Sequence, residues 1–397
     1  MNGSSHPDIV VVSTARTAIG TFGGALAEVP NTQLATTVVQ AAMQRGSINP
    51  HHVGLVVLGN VIPTEPRDAY LSRVAALDAG CSQETPAFNV NRLCGSGLQA
   101  IVLAAQAIAL GDCDIAVAGG SESMSRGPYL AGGARFGARM GDAVLIDYMT
   151  GILHDPWERT HMGITAENVA ARYGISRERQ DALALESQQR AAHAVAHGYF
   201  KEQIVPVEIK TRKGIIHFDT DEHIRANVTA EQLAKMKPAF KADGSVTAGN
   251  ASGINDGAGA VVLADARRAA ALGLQPIARL VGYAHSGVEP AYMGIGPIPA
   301  TRKVLERTGL RVQDLDVIEA NEAFAAQACA VAQELQFDLA KVNPNGSGIS
   351  LGHPVGATGA IITVKALAEL QRRSLRYALV TMCIGGGQGI AAIFERL

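Results

Sequence analysis

Neither sign of charge dominates this chain of 397 residues: 34 Lys and Arg stand against 36 Asp and Glu, and only 18% of positions are charged. Such a balance excludes the basic surface that a nucleic-acid binder or a polybasic membrane contact needs. Cysteine is scarce as well. The five present, Cys81, Cys94, Cys113, Cys329 and Cys383, are odd in number and form no C-x-x-C pair, which argues against a disulfide framework or a zinc knuckle and for a reducing compartment. An apolar strand is reached by Ile9, so no signal or transit peptide is expected, and the terminal FERL is not a peroxisomal tripeptide. No uncharged apolar run of membrane-spanning length is expected either. The expected setting is the cytoplasm, without membrane or nucleic-acid partner.

Glycine, by contrast, is plentiful, with 43 residues gathered in clusters such as NGSG and GGG that mark tight turns and close backbone approaches. With 47% hydrophobic residues, the chain is long enough for two or three domains with substantial cores. Short apolar runs (DIVVVS, GLVVLGN, DIAVAGG) alternate with helical patterns in the first third, and the last third repeats the plan (ARLVGYA, DVIEAN, YALVTMCIGGG). Continuous apolar strands separated by helices predict an α/β fold with a mostly parallel sheet covered on both faces. The repeat aligns Asn60 with Asn321, Asn91 and Gly95-Ser96-Gly97 with Asn343 and Gly346-Ser347-Gly348, and Gly119-Gly120 with Gly385-Gly386-Gly387. The expected units are an N-terminal half over 1–122, completed by about 247–275, an inserted α-rich domain over 123–246, and a C-terminal half over 276–397. Strand ends of two packed α/β halves meet at a shared cleft, the usual ligand position in such sheets.

The stretch Phe88 to Leu110, FNVNRLCGSGLQAIVLAAQAIAL, places Cys94 where a strand hands over to a helix that is apolar on every face. Helix N-termini stabilise anions, so a thiol there ionises more readily, although a buried inert cysteine is the plainer alternative. His353 sits in ISLGHPVGATG, an insertion between the second glycine turn and its helix, and imidazole is the usual base for a thiol nucleophile. Cys383 precedes Gly385, whose neighbouring N–H groups can face a developing oxyanion, and Asn321 offers another donor. Taken singly, His353 reads as a structural hydrogen-bonder, Cys383 as core, and Asn321 as a helix cap. Jointly, at matched sites of a repeat, they favour acyl transfer through a thioester. Gly348-Ile349-Ser350-Leu351-Gly352 fits the G-x-S-x-G pattern but lacks the strand that a nucleophile elbow requires, and GGGQG at Gly385 is not a dinucleotide fingerprint. In the inserted region the cations Arg212, Lys213 and Arg225 are candidates to meet phosphates.

NRLCGSGLQAI around Cys94, NEAFA at Asn321, GHPVGATGA at His353 and CIGGGQGIA at Cys383 resemble the four signature blocks of the thiolase family, over essentially the whole chain. HMGITAENVA and TAGNASGINDGAGA resemble its short-chain biosynthetic branch, and NVIPTEPRDAYLSRVAA and LHDPWERTHMG resemble bacterial β-ketothiolases with a broadened acyl range. The resemblance implies a five-layered αβαβα fold, a homotetramer, and no permanently bound cofactor, with coenzyme A and acyl-CoA as substrates. It implies Cys94 as the acylated nucleophile, His353 as its activator, Cys383 as the acid/base at the α-carbon, and Asn321 as the residue orienting a water in one oxyanion hole. The N–H groups of Cys94 and Gly385 would form the other hole. It places Ser252, His161, Met162, Leu153, Ala248 and Phe324 along a pantetheine tunnel and Arg225 by the adenine. Rival expectations are a degradative thiolase of longer chain range, a decarboxylating ketoacyl synthase, and a non-catalytic acyl or sterol carrier. The intact CIGGG block speaks against the synthase, and the four retained reactive residues speak against the carrier.

Overall fold

In the computed structural model, which describes residues 8–397, the chain alternates strands and helices from Ile9 onward; the expectation about a targeting segment falls outside the described residues. The first half runs β1 (Ile9–Arg16), β2 (Gly20–Thr21), α1 (Asn31–Arg45), β3 (Leu55–Gly59), α2 (Leu71–Asp78), β4 (Ala87–Val90), α3 (Ser96–Leu110) and β5 (Ile115–Ser123). A long excursion follows: β6 (Tyr129–Leu130), β7 (Ile146–Asp147), α4 (Tyr148–Gly151), α5 (Met162–Tyr173), α6 (Arg177–Ala196), the hairpin β8 (Val207–Thr211) and β9 (Gly214–Phe218), and α7 (Ala230–Ala234). The chain then returns to the sheet as β10 (Asn255–Asp265) and, after α8 (Ala266–Ala271), enters the second half. There it runs β11 (Ala278–Gly287), α9 (Pro297–Thr308), β12 (Val317–Ala320), α10 (Ala325–Leu335), α11 (Gly348–Leu351), α12 (Thr358–Arg373), β13 (Tyr377–Ile384) and β14 (Gln388–Arg396).

The strands form one sheet in the order β12-β13-β14-β11-β1-β10-β5-β3-β4, with β2 beside β10. It is mixed, not mostly parallel as expected: β3 pairs in parallel with β4 and β5, and β12 with β13, while every other pairing is antiparallel. Strands covered on both faces are apolar throughout in either orientation, so the sequence pattern alone could not separate the two. The halves meet where Val10 and Val11 pair with Arg279 and Ala278.

Alternate side chains along each strand feed different layers. Val11, Val57 and Ala118 of the first half and Val317, Val380 and Phe394 of the second face a shared interior filled by α3 and α12, through Leu98, Ile101, Ile362 and Leu367. Val10, Val56 and Val117 point outward against α1 and α2, and Ile318, Leu379 and Ile393 outward against α9 and α10. The result is five layers, in which the two halves of the one sheet alternate with three layers of helices. Burying Leu98 or Ile101 in the middle layer contributes on the order of 2 kcal/mol each.

That position explains the composition of α3. Contrary to expectation, Leu93–Leu110, with mean hydropathy 1.7 over 18 residues, is long and apolar enough to span a membrane. Here it instead lies between the two halves of the sheet, with Leu98, Ala100, Ile101, Val102 and Ala104 fully covered. A partly open stripe remains at Gln99, Leu103 and Gln106, so the helix is not buried on every face.

Two details of the repeat also change. A Cβ on Gly97 would come within 2.7 Å of Ala360 N, and one on Gly359 would collide with Leu98 N, so α3 and α12 cross through facing glycines. The counterpart of Gly95-Ser96-Gly97 is therefore Ala357-Thr358-Gly359, not Gly346-Ser347-Gly348. Strand register likewise matches Gly119-Gly120 with Val380-Thr381, not with Gly385-Gly387. Asn60 and Asn321, each just past the matched strands β3 and β12, do correspond.

Candidate active site

Cys94 precedes α3, whose first residue is Ser96. The turn that carries it is held by Ser96, whose hydroxyl accepts from Arg92 N at 2.8 Å and donates to Leu93 O at 2.7 Å, and it passes through Leu93 at a left-handed φ of 47°. A leucine in that conformation is strained, and the strain sits next to the thiol. Cys94 is half-buried as a residue, yet burial of its thiol pushes the pKa up to about 11, against the pull of the Gly385 and Cys94 N–H groups. The expectation of an easily ionised thiol is thereby corrected, because loss of solvation outweighs the helix N-terminus. At neutral pH the resting group is a thiol that needs a base.

Cys383 lies on β13 opposite Gly389 of β14, fully buried. Burial raises its thiol pKa well above the usual range, and Cys94 raises it further; the Cys94 thiol takes the N–H of Gly385, two residues past Cys383, and Leu93 packs on that same glycine. The chain then turns through Gly385, Gly386 and Gly387, the last two at φ 81° and 83°. A Cβ on Gly385 would collide with Met162 Cε, so Met162 closes over this turn.

His353 and Asn321 arrive from two other loops. Asn321 Nδ2 lies 3.4 Å from His353 Nε2, and Asn321 Oδ1 is buried without a partner in the protein. Asn321 does not cap a helix, since α10 begins at Ala325 with Phe324 as its N-cap. His353 Nδ1 lies 2.6 Å from Thr358 Oγ1, which also lies 2.9 Å from Pro354 O. A hydroxyl has one proton; if Pro354 O receives it, Nδ1 carries the imidazole proton and Nε2 is the free acceptor. Burial lowers the His353 pKa to about 4, which keeps the ring neutral and able to accept a proton. Ser350, the residue of the decoy G-x-S-x-G pattern, is buried on α11 and bonded to Ser187 at 2.9 Å.

A cavity of about 480 Å³ leads to His353. Its walls include Leu153, His161, Ala248, Ser252 and Phe324, with Arg225 also lining it and exposed to solvent. Met124, Leu153 and Val355 connect the two sets of groups, since they border this cavity and also pack in the cluster that adjoins Cys94. Each wall residue is fixed locally. His161 caps α5 by accepting from Gly163 N at 3.0 Å and stacks on Phe240 with ring centres 4.4 Å apart. Leu153 O receives Met162 N at 2.9 Å, and Ser252 N donates to Ala323 O at 2.9 Å, so Ser252 belongs to a backbone bridge and not to a helix cap. Glu167 holds the segment entering this wall through Ser245 N and Val246 N, at 2.8 and 2.7 Å. Arg212 and Lys213 sit at the β8–β9 turn and are not among the lining residues.

Sequence reading missed several residues at this site, Phe240, His223 and Glu122 among them. Phe240 and His223 line the cavity, and each lies in a polar stretch where an isolated ring carries no periodic signal. Glu122, at the end of β5, is fully buried, which raises its pKa to about 8, and its charged form disfavours ionisation of Cys94. Its position in an otherwise apolar or small-residue strand, IAVAGGSES, was the available signal.

Comparison with known proteins agrees with this geometry. Residues 9–267 match the family model for the thiolase N-terminal domain, and residues 274–396 that for the thiolase C-terminal domain. The chain is 64% identical to beta-ketothiolase BktB of Cupriavidus necator over 98% of its own length and 99% of that protein's. It is 52% identical to an acetyl-CoA acetyltransferase of Chromobacterium violaceum, over 98% and 100% of the two lengths. Among solved structures, the acetyl-CoA acetyltransferase of Bacillus anthracis superposes with a TM-score of 0.97 at 48% identity, covering 99% of each chain. Human mitochondrial 3-ketoacyl-CoA thiolase in complex with CoA superposes at 0.96 with 44% identity, covering 98% of each. With both family domains matched end to end around a paired-cysteine cleft, this chain belongs to the thiolase family.

Proposed function

We propose that the protein catalyses the reversible Claisen condensation of acetyl-CoA with a short acyl-CoA, acetyl or propionyl, and the reverse thiolysis, through an acyl-Cys94 intermediate. The observation that carries this reading is that the Cys94 thiol meets the N–H of Gly385, two residues past Cys383, and that Cys94 packs in one cluster with Val355, two residues past the neutral His353. Two thiols with raised pKa values are protonated at rest, which suits a sequence in which each gives up its proton in turn.

In the first half-reaction His353 Nε2 takes the Cys94 proton as the sulfur attacks the thioester carbonyl, and Cys383 gives its proton to the departing CoA thiolate. Cys383 is left as thiolate. It then removes a proton from the α-carbon of the second acetyl-CoA, and the enolate attacks acetyl-Cys94. The Cys94 thiolate leaves and recovers its proton from His353. Enolates and tetrahedral oxyanions are stabilised by positioned donors in a site without water. The N–H groups of Cys94 and Gly385 serve one oxyanion, and His353 with a water oriented by Asn321 serves the other. Coenzyme A occupies the cavity lined by Leu153, His161, Ala248, Ser252 and Phe324, with Met162 against the reacting end and Arg225 at the adenine end. It is a substrate, and no resident cofactor takes part.

We divide the chain into an N-terminal half over 1–122 with 247–275, a coenzyme A-binding excursion over 123–246, and a C-terminal half over 276–397. We further propose a cytoplasmic homotetramer. The open edge of β4 and the apolar 129–146 segment, with Phe136 89% and Met140 97% exposed, supply surfaces suited to subunit contacts.

Intact-protein mass spectrometry after incubation with acetyl-CoA tests the mechanism: one acetyl group is expected, mapped to Cys94 and absent from Cys94→Ala. No adduct, or one that survives the substitution, would overturn it. Thiolysis of acetoacetyl-CoA, 3-ketovaleryl-CoA and a long-chain 3-ketoacyl-CoA tests the acyl range. Similar rates on the first two support it, and preference for the long chain rejects it.

A further inference from the structure

The two halves keep one register at the carboxyl ends of their strands. Gly59 pairs with Gly120 across β3 and β5, and Ala320 pairs with Thr381 across β12 and β13. Counting onward from each pair, Asn60 and Asn321 take equivalent places, and so do Glu122 and Cys383. The neighbouring strands agree, since Glu122 faces Gly257 of β10 as Cys383 faces Gly389 of β14. The facing glycines of the central helices, Gly97 and Gly359, make the residues three before them, Cys94 and Gly356, counterparts as well.

Each of these loop residues crosses to the opposite half. Cys94 meets Cys383, whereas Gly356, three residues past His353, donates its N–H to Glu122 Oε2 at 2.8 Å. A Cβ on Gly356 would collide with that oxygen. Val61 N also donates to Oε2, at 3.0 Å. Oε1 accepts from Asn60 Nδ2 at 2.7 Å and from Ile62 N at 3.0 Å. Glu122 thus answers four N–H donors while fully buried, and among the described residues it has no cationic partner. Burying a charge without a counter-ion is unfavourable, so a carboxylate here calls for a reason. A neutral glutamine, with one oxygen, would turn its own N–H groups toward two of the donors.

We propose that Glu122, the register counterpart of Cys383, is a positioning residue: by gripping Gly356 from the opposite half, it sets where the His353 loop stands relative to Cys94. Burial raises the Glu122 pKa to about 8, against the pull of its N–H donors, and above that pH its charge opposes ionisation of the Cys94 thiol. The other ionisable groups bearing on this arrangement are Asp68, which acts on Glu122 from the 66–70 turn, Cys383 beside Cys94, and His353 itself.

The inference rests on Cys94 being the acylated nucleophile, and a single comparison separates the two. Acetylation of Cys94 by acetyl-CoA and alkylation of Cys94 by iodoacetamide are followed against pH in the unsubstituted enzyme and in Glu122→Gln. In Glu122→Gln, acetylation is expected to slow on the order of tenfold or more, as small displacements of catalytic groups do. The KM for acetyl-CoA is expected to stay within about twofold, while the pH midpoint of alkylation moves down because a neighbouring negative charge is gone. Acetylation at the unsubstituted rate overturns the proposal, and so does slowing of both reactions together with an unmoved midpoint, the outcome of a purely structural residue. Should Glu122→Gln fail to fold, Asn60→Ala removes one donor and keeps the carboxylate. Slower acetylation at unchanged KM then supports the proposal, and an unsubstituted rate rejects it. If the unsubstituted enzyme itself is not acetylated at Cys94, the reading of the reaction fails first.

Discussion

His353 Nδ1 lies 2.6 Å from the hydroxyl of Thr358, and that hydroxyl lies 2.9 Å from Pro354 O. With the hydroxyl proton on Pro354 O, the contact selects the tautomer that leaves Nε2 free. Thr358→Val would leave a buried N–H unpaired, at a cost of about 1–3 kcal/mol. It is also expected to lower kcat on the order of tenfold or more. Thermal unfolding and steady-state kinetics read the two effects, and a variant with full kcat would show that the tautomer is set elsewhere.

Cys383→Ser should divide the half-reactions. Cys94 keeps its base and its oxyanion donors and a CoA thiolate leaves without obligatory protonation, so acetyl transfer to the enzyme persists at a reduced rate, whereas abstraction of the α-proton loses its group and condensation falls by about 100-fold or more. Acetyl labelling and condensation assays on the same preparation measure both. Equal loss of the two would count against the assignment of Cys383.

Stability toward acid follows from one buried histidine, His353, and three half-buried ones. Desolvation, helped by His154 at His161, by Arg225 at His223 and by Arg92 at His285, lowers His161, His223, His285 and His353 to about 4, below the usual value near 6.5. Above that usual value both folded and unfolded states are neutral at these sites. Between pH 6.5 and 4 the unfolded chain binds protons that the folded chain refuses, so stability is present above pH 6.5 and is lost as pH falls toward 4. Melting temperature against pH should show this limb, and His353→Asn should make it shallower. Identical limbs would mean that the imidazole is not held neutral.

Met162 is buried against Gly385, at the end of the site proposed to receive the acyl chain. Met162→Ala should open that end, shifting relative kcat/KM toward a six-carbon 3-ketoacyl-CoA over acetoacetyl-CoA by about tenfold, at a stability cost of about 2–5 kcal/mol. An unchanged ratio would place the acyl chain elsewhere.

Phe136 and Met140 lie almost fully exposed between β6 and β7. If this segment joins subunits, Phe136→Asp should convert tetramers to smaller species with little change in melting temperature of the protomer core. Sedimentation velocity gives the answer, and a tetramer of undiminished stability would remove the segment from the interface.

Much of this was legible in the chain itself. The proposed reactive residues Cys94, His353 and Cys383 lie in short glycine-rich blocks whose local backbone follows from the residues in them, and β3, α3, β5 and β13 are uniform enough in apolar character to be recognised as buried elements. Strand direction was not legible, because β10 and β14 are apolar whichever way they run. Nor was the exact repeat: its glycine turns attracted a match to Gly346-Ser347-Gly348, whereas the true counterpart is set by the point at which α3 and α12 cross.

The sequence by itself determined the elements, the order of the reactive blocks and the family, since those depend on local pattern and composition. The tertiary structure decided the chemistry of the groups. A helix N-terminus alone favours an ionised Cys94, but the packed halves strip water from it and hold the thiol protonated, at about 11. Likewise Glu122 is an unremarkable acid in a strand until folding brings Gly356 across from the other half. Desolvation and contacts between distant segments exist only once the layers have closed, and no local stretch encodes them.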